Sequence, residues 1–145
     1  MTEEIIKFDL GDVELLSGEK LTSAVLVAKT WGRLSAARDN VIVLPTYYTG
    51  THEGYAPLVG PGNVFDTNHY FVVSPNLFGN GLSTSPSNAI DSNSGPRFPQ
   101  VDVYDNVLCQ HRLLTESFDV TDIQLVAGWS MGAIQAFHWA VAFPD

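Results

Sequence analysis

Ile123-Gln124-Leu125-Val126-Ala127-Gly128-Trp129-Ser130-Met131-Gly132-Ala133-Ile134 reads as an apolar strand, an abrupt turn and a helix, with Gly-x-Ser-x-Gly across the turn. This is the pattern of a nucleophile elbow, in which a serine sits on a sharp strand-to-helix bend and projects its hydroxyl at the carboxyl end of a sheet. Gly128 and Gly132 carry no β-carbon, so strand and helix can approach each other closely at the bend. A helix that starts at Ser130 turns its unpaired N–H groups and the positive end of its dipole toward the place where an oxyanion would form.

The segment from Ser130 to Ala142 is apolar nearly all round, which predicts a buried helix. Upstream, Val103, Val107, Leu114 and Phe118 recur at helical spacing behind Asp102 as N-cap, which predicts an amphipathic helix of about four turns packed on the sheet. Two continuous apolar runs, Val41–Leu44 ended by Pro45 and Tyr70–Ser74 ended by Pro75, suit strands of a parallel sheet buried on both faces. Residues 12–17 and 21–29 read as an antiparallel hairpin turning at Ser17-Gly18-Glu19-Lys20. A loop follows over Thr30–Asn40, and a short helix is expected over Tyr55–Val59 before Gly60-Pro61-Gly62 breaks it. Asn76–Pro99, rich in Gly, Ser, Asn and Pro, is expected to be a long ordered surface loop. Its Gly79-Asn80-Gly81 lacks the third glycine and the following helix that a dinucleotide site needs. The alternation predicts an α/β domain with a mostly parallel sheet flanked by helices. The loops after Leu44, Ser74 and Ala127 then converge on one crevice at the carboxyl ends of the strands.

A serine hydroxyl needs a base, usually a histidine oriented by a carboxylate, and on an elbow fold the acid and the histidine follow the serine in the chain. His138 stands eight positions along the same helix as Ser130, a rise of about 12 Å, and cannot reach back. Asp145 reads as a helix-end residue and not as the acid, and His52 precedes the nucleophile and reads as pocket lining. The base and acid are therefore expected outside residues 1–145, which would form the amino-terminal part of one larger domain, truncated after the nucleophile helix. The oxyanion donors are expected at the backbone N–H of Met131 and in the loop Pro45-Thr46-Tyr47-Tyr48-Thr49-Gly50. Asp105 reads as a hydrogen-bonding residue on the helix surface, and Cys109 as a small buried one.

Composition narrows the classes. A hydrophobic content of 45% and a charged content of 16% are those of a globular chain, and 145 residues allow one domain with a core. A formal charge of −9 argues against a basic face for nucleic acid or an anionic membrane. The single cysteine excludes a disulfide framework and a cysteine zinc cluster, and no metal site is expected. The start Met1-Thr2-Glu3-Glu4-Ile5-Ile6-Lys7 lacks the basic and apolar regions of a signal peptide, no apolar run is long enough to span a membrane, and a cytoplasmic location is the expectation.

Several of these motifs together resemble the homoserine O-acetyltransferase family of the α/β-hydrolase superfamily. Gly50-Thr51-His52 resembles part of the family's Leu-Thr-Gly-Ser-Ala-His loop, and Ser17–Leu21 through Trp31-Gly32-Arg33-Leu34 resembles its amino-terminal hairpin and the Tyr-Gly-x-Leu after it. Phe98-Pro99 with Asp105, and Gly128–Ala140, resemble its Phe-Pro…Asp helix and its Gly-Gly-Ser-Met-Gly-Gly-Met-Gln-Ala-x-x-Trp-Ala elbow. The resemblance implies the amino-terminal part of an α/β-hydrolase fold. It also implies acetyl transfer from acetyl-CoA, used as co-substrate with no bound cofactor, to a hydroxyl acceptor through an acyl-serine, in methionine biosynthesis. Ser130 would be the nucleophile, Met131 and Tyr48 the backbone oxyanion donors, and Tyr47, His52 and Trp129 substrate-binding residues. The partners implied are a small-molecule acyl donor and a hydroxyl acceptor, with a homodimer left open. Trp129 and Ala133 stand where the family has glycines, and Pro45-Thr46-Tyr47-Tyr48 departs from its oxyanion loop. An esterase of the same superfamily, or an inactive fragment without the triad acid and base, are the alternative readings.

Overall fold

The computed structural model describes residues 2–90 and 92–144. Asp145, which the sequence sets at the end of a helix, lies outside the described residues. In chain order the elements are β1 (Glu3–Glu14), β2 (Lys20–Trp31), β3 (Val41–Val43), a 3-10 helix (His52–Leu58), β4 (Val59–Gly60), β5 (Phe65–Asp66) and β6 (Phe71–Pro75). After a short 3-10 turn at Gly95–Arg97 come α1 (Val103–Arg112), continued by a π-helical turn over Leu113–Ser117, then β7 (Ile123–Val126) and α2 (Met131–Ala142). The main sheet is mixed, in the order β1-β2-β6-β3-β7. β1, β2 and β6 pair antiparallel, whereas β6, β3 and β7 run parallel.

The central strands are buried on both faces, as their unbroken apolar runs require. Val41, Val43, Phe71 and Val73 face one core with Val107, Leu113, Leu114 and Trp139 of the helical layer. Ile42, Leu44 and Val72 face the other with Trp31, Tyr55 and Val59. Neighbouring residues of one strand thus belong to different cores, which is the two-residue period of a pleated strand.

The hairpin is present but longer than its sequence reading. β1 begins at Glu3, because Ile6, Phe8 and Leu10 alternate with Ile5, Lys7 and Asp9 and present one side to the core. Register shifts between Asp9 and Val13 move the inward phase from Ile6, Phe8 and Leu10 to Val13 and Leu15. Gly11, at φ 65°, supplies the left-handed residue that such a bulge uses. Beyond its pairing with β6, β2 is closed by side chains of the 76–99 loop. Ser83 Oγ accepts from Val27 N–H, Thr84 Oγ1 from Val25 N–H and Asn93 Oδ1 from Thr22 N–H. Polar side chains of this loop's described residues thus take the place of a neighbouring strand along that part of β2.

Three further readings change. The expected Tyr55–Val59 helix is a 3-10 helix that starts earlier, at His52, capped by the Thr51 side chain. Asp105 is buried and not on the helix surface: it closes a capping box with Asp102 and also accepts from Leu16 N–H at 2.8 Å. The α2 helix is not enclosed within the described residues, since Phe137 is 77% and Val141 84% exposed. Gln135 and Trp139 on its opposite side are buried, so its burial is one-sided despite an all-apolar sequence. Cys109 is buried, and burial pushes its thiol up to about 12. No helix among the described residues is long and apolar enough to cross a membrane.

Candidate active site

The bend between β7 and α2 is as sharp as the glycine spacing requires. Ser130 precedes α2 at φ 52° and ψ −128°, a left-handed setting that costs a non-glycine residue about 1–3 kcal/mol. A β-carbon on Gly128 would lie 2.7 Å from the carbonyl carbon of Gly132. A β-carbon on Gly132 would lie 2.7 Å from Pro45 O and 2.8 Å from Tyr55 Oη. The first glycine lets the strand meet the helix, and the second lets the helix meet the loop after β3. Ser130 is exposed, and its hydroxyl makes no hydrogen bond among the described residues.

The loop after β3 is held one peptide at a time. Tyr55 Oη donates to Pro45 O at 2.9 Å, and burial pushes that phenol up to about 12, so it stays a donor. Gln135 Nε2 of α2 donates to Thr46 O at 2.8 Å, while Thr46 Oγ1 accepts from Leu77 N–H at 2.9 Å. Gly50 N–H donates to Tyr47 O at 2.9 Å and closes a turn that includes Thr49 at φ 66°. The carboxyl-end loops of β3, β6 and β7 are therefore joined by hydrogen bonds, and they meet where the crevice is expected. The hydrogen bonds of the described residues leave the N–H groups of Met131 and Tyr48 unused. Both residues border a groove of about 510 Å³ whose wall also includes Tyr47, Phe78, Asn80 and Asn106.

The other expected site residues divide. Tyr47 lines the groove, and its ring packs 5.3 Å from Trp129 and 5.9 Å from Tyr55. Trp129 packs tilted against Tyr55 with ring centres 4.6 Å apart and stands half-exposed; neither it nor Ser130 is in the groove lining. His52 lies buried behind the loop and does not border the groove. Its Nδ1 is 2.9 Å from the Asn76 side-chain amide and its Nε2 3.2 Å from Glu53 Oε1. An amide nitrogen can only donate, so Nδ1 accepts and the neutral ring keeps its proton on Nε2, facing Glu53. Burial pulls His52 below the ordinary imidazole range, a pull that Lys29 reinforces and Glu53 and Asn76 oppose. The remaining histidines are occupied elsewhere: His69 against Tyr70, His111 stacked at 3.8 Å on Phe143, and His138 beside Tyr104. Among the described residues no histidine pairs with Ser130.

Sequence reading missed two residues of the scaffold. Tyr55 was legible only as part of a short helix, and Gln135 only as one member of a motif. The signal for Gln135 is a lone amide in an otherwise apolar helix, which must find a buried partner.

No protein-family profile matches the chain. Curated relatives do. The chain is 41% identical over 138 residues to a probable esterase of Corynebacterium glutamicum, spanning 94% of this chain and 40% of that protein. It is 33% identical over 158 aligned positions to the homoserine O-acetyltransferase of Leptospira biflexa, spanning 98% of this chain and 41% of that protein. Among solved structures, the acetyl esterase MekB superposes with a TM-score of 0.95 at 38% identity, over 98% of this chain and 41% of the esterase. The chain thus spans about 40% of the length of the relatives it matches. Its homologues include both homoserine O-acetyltransferases and acetyl esterases, and its fold is the amino-terminal part of an α/β-hydrolase.

Proposed function

We propose that this chain is the nucleophile-bearing part of a serine esterase for small acyl esters. The observation that carries the reading is the elbow itself. Ser130 is held at φ 52° at the start of α2 with its hydroxyl unbonded among the described residues, and the next residue, Met131, borders one groove together with Tyr48, the N–H groups of both being unused. In the reaction, Ser130 Oγ attacks the ester carbonyl carbon as a base takes its proton. The carbonyl oxygen becomes an oxyanion that accepts from Met131 N–H and Tyr48 N–H. The carbon–oxygen bond to the alcohol then breaks, the base returns the proton to the departing alkoxide, and an acyl-serine remains. Water repeats the sequence, releases the carboxylic acid and restores the serine. The base and its carboxylate partner are supplied by chain outside residues 1–145, in keeping with the 40% coverage of the relatives. His52 is not that base, because its two ring nitrogens are committed to Asn76 and Glu53.

Hydrolysis is favoured over transfer by the higher identity to esterases and by Trp129. Its indole, packed against Tyr55 and Tyr47, precedes the nucleophile in the chain where the acetyltransferase pattern carries a glycine, so the residues around the serine depart from that pattern. The second reading, transfer from acetyl-CoA to a hydroxyl acceptor, is supported by the Ser-Met-Gly, Gln-Ala and Trp-Ala residues of α2. Both reactions share the acyl-serine and differ in what attacks it. The test uses the protein extended to the length of its relatives. Hydrolysis predicts turnover of p-nitrophenyl acetate with an acyl burst, both abolished by Ser130→Ala. Acetyl-CoA consumption that requires a hydroxy amino acid and matches acetylated product mole for mole would decide for transfer. Undiminished turnover in Ser130→Ala would remove the serine from the mechanism.

A further inference from the structure

We infer that Gln135 is a positioning residue that sets the spacing between the two oxyanion donors; this rests on the proposed acyl-serine reading and names the part that tunes it. The inference comes from a chain of buried side-chain hydrogen bonds whose polarity is forced from both ends. Trp139 Nε1, which can only donate, lies 2.9 Å from Gln110 Oε1. That contact turns the Gln110 amide nitrogen toward Gln135 Oε1, at 2.7 Å. Gln135 must then direct its own amide nitrogen at carbonyl oxygens, which can only accept. It finds two: Thr46 O at 2.8 Å and Met131 O at 3.2 Å. Neither glutamine can be flipped without setting donor against donor at one end and acceptor against acceptor at the other.

One carbonyl belongs to the loop after β3 and the other to the first turn of α2, and the groove is bordered by Tyr48 of that loop and by Met131. Met131 carries one proposed donor, and Thr46 stands two residues before Tyr48, which carries the other. One amide group therefore fastens the start of α2 to the loop after β3, with no solvent access, since Gln110 and Gln135 are both 0% exposed. Between Thr46 and the donor only Tyr47 intervenes, and its carbonyl is fixed in turn by Gly50 N–H. The Tyr48 N–H is thus oriented by a peptide held at Tyr47 O and a preceding peptide held by Gln135. Loss of the amide would leave the loop attached through Tyr55 and Leu77 but free to shift relative to α2. Oxyanion donors act only where they are already aimed at the developing charge, so a small shift weakens transition-state binding more than ground-state binding.

The experiment uses the protein at the length of its relatives, with p-nitrophenyl acetate as substrate and a methyl trifluoromethyl ketone as probe. The ketone adds Ser130 Oγ and places its oxyanion in the same hole. Gln135→Met should lower kcat by about 10- to 100-fold with KM within about twofold, and weaken the ketone in proportion. Gln135→Glu adds a readout that a purely structural role would not move. A protonated carboxyl can donate to Thr46 O, so activity should recover at low pH and fall as the carboxyl ionises. Gln110→Leu, which removes the bond that orients Gln135, should show the same pattern at smaller amplitude. The inference is overturned if Gln135→Met keeps kcat and ketone affinity, or loses both in step with KM. Should Gln135→Met fail to fold, a Gln135→Glu pH profile superposable on the wild type overturns it equally. Turnover that depends on Ser130 with indifferent Gln135 variants sinks the positioning role alone. Turnover surviving Ser130→Ala sinks the acyl-serine reading and takes this inference with it.

Discussion

The two helices of the chain treat polarity in opposite ways. α1 buries Asp105, Asn106 and Gln110, while α2 exposes Ile134, Phe137 and Val141. By hydrophobicity alone α2 should be the enclosed helix and α1 the half-solvated one. The difference lies in what each buried group is bonded to. Asp105 accepts from Asp102 N–H and Leu16 N–H, Asn106 bridges Phe78 N–H and Asp102 O, and Gln110 links Trp139 to Gln135. Among the described residues no buried side-chain nitrogen or oxygen lacks a partner. A polar side chain with every bond made can be buried at little net cost and fixes where neighbouring loops sit. The apolar residues of α2 have no such directional demand, and one side of the helix faces outward here.

The largest effect that would break this contrast lies in α2. Gly132→Ala puts a β-carbon 2.7 Å from Pro45 O and 2.8 Å from Tyr55 Oη, both parts of a hydrogen-bonded and buried contact. The backbone must move, and a loss of about 3 kcal/mol in chemical unfolding is expected, at the upper end for an overpacked core site. A loss below about 0.5 kcal/mol would mean that the loop after β3 is looser than its bonds suggest. In α1 the expected effect is somewhat smaller. Asp105→Ala removes the carboxylate that serves two backbone N–H groups and should cost about 1–3 kcal/mol by the same measurement. Asp105→Asn retains one acceptor oxygen and should recover part of the loss. The smallest effect is on the outer side of α2. Phe137→Ser in this chain should shift stability by less than about 0.5 kcal/mol, while reducing any concentration-dependent association seen by sedimentation. In the protein at its relatives' length, a cost nearer 3 kcal/mol at the same position would show that further chain covers this face.

Much of the scaffold was legible because periodicity and local chemistry agreed. β3 and β6 are legible in apolar runs that end at Pro45 and near Pro75, and the elbow in two glycines around a serine. β1 was under-read, since its alternation at Ile6, Phe8 and Leu10 changes phase at Gly11, and a bulge is invisible to any fixed two-residue template. The 3-10 helix was shortened because its capping Thr51 and its Pro57 do not follow an α-helical pattern. For the site, Ser130, Met131 and the loop after β3 could be named from the elbow. The partners of Gln135 could not, because the bonds that orient it join residues 25 and 89 positions apart. The place of His52 in a carboxyl-end loop suggests pocket lining, whereas its ring is bonded to Asn76 and lies buried outside the groove wall. Sequence proximity locates a side chain along the chain, and only packing decides which side it faces.

Cys109 gives the chain a clock of its own. With the residue 2% exposed and burial pushing its thiol up to about 12, the sulfur stays protonated near neutral pH while α1 is docked. An alkylating reagent therefore meets a reactive sulfur only after α1 has left the sheet. The rate of Cys109 labelling in native buffer counts those departures one molecule at a time, with no added probe and no second cysteine in the chain to confuse the record.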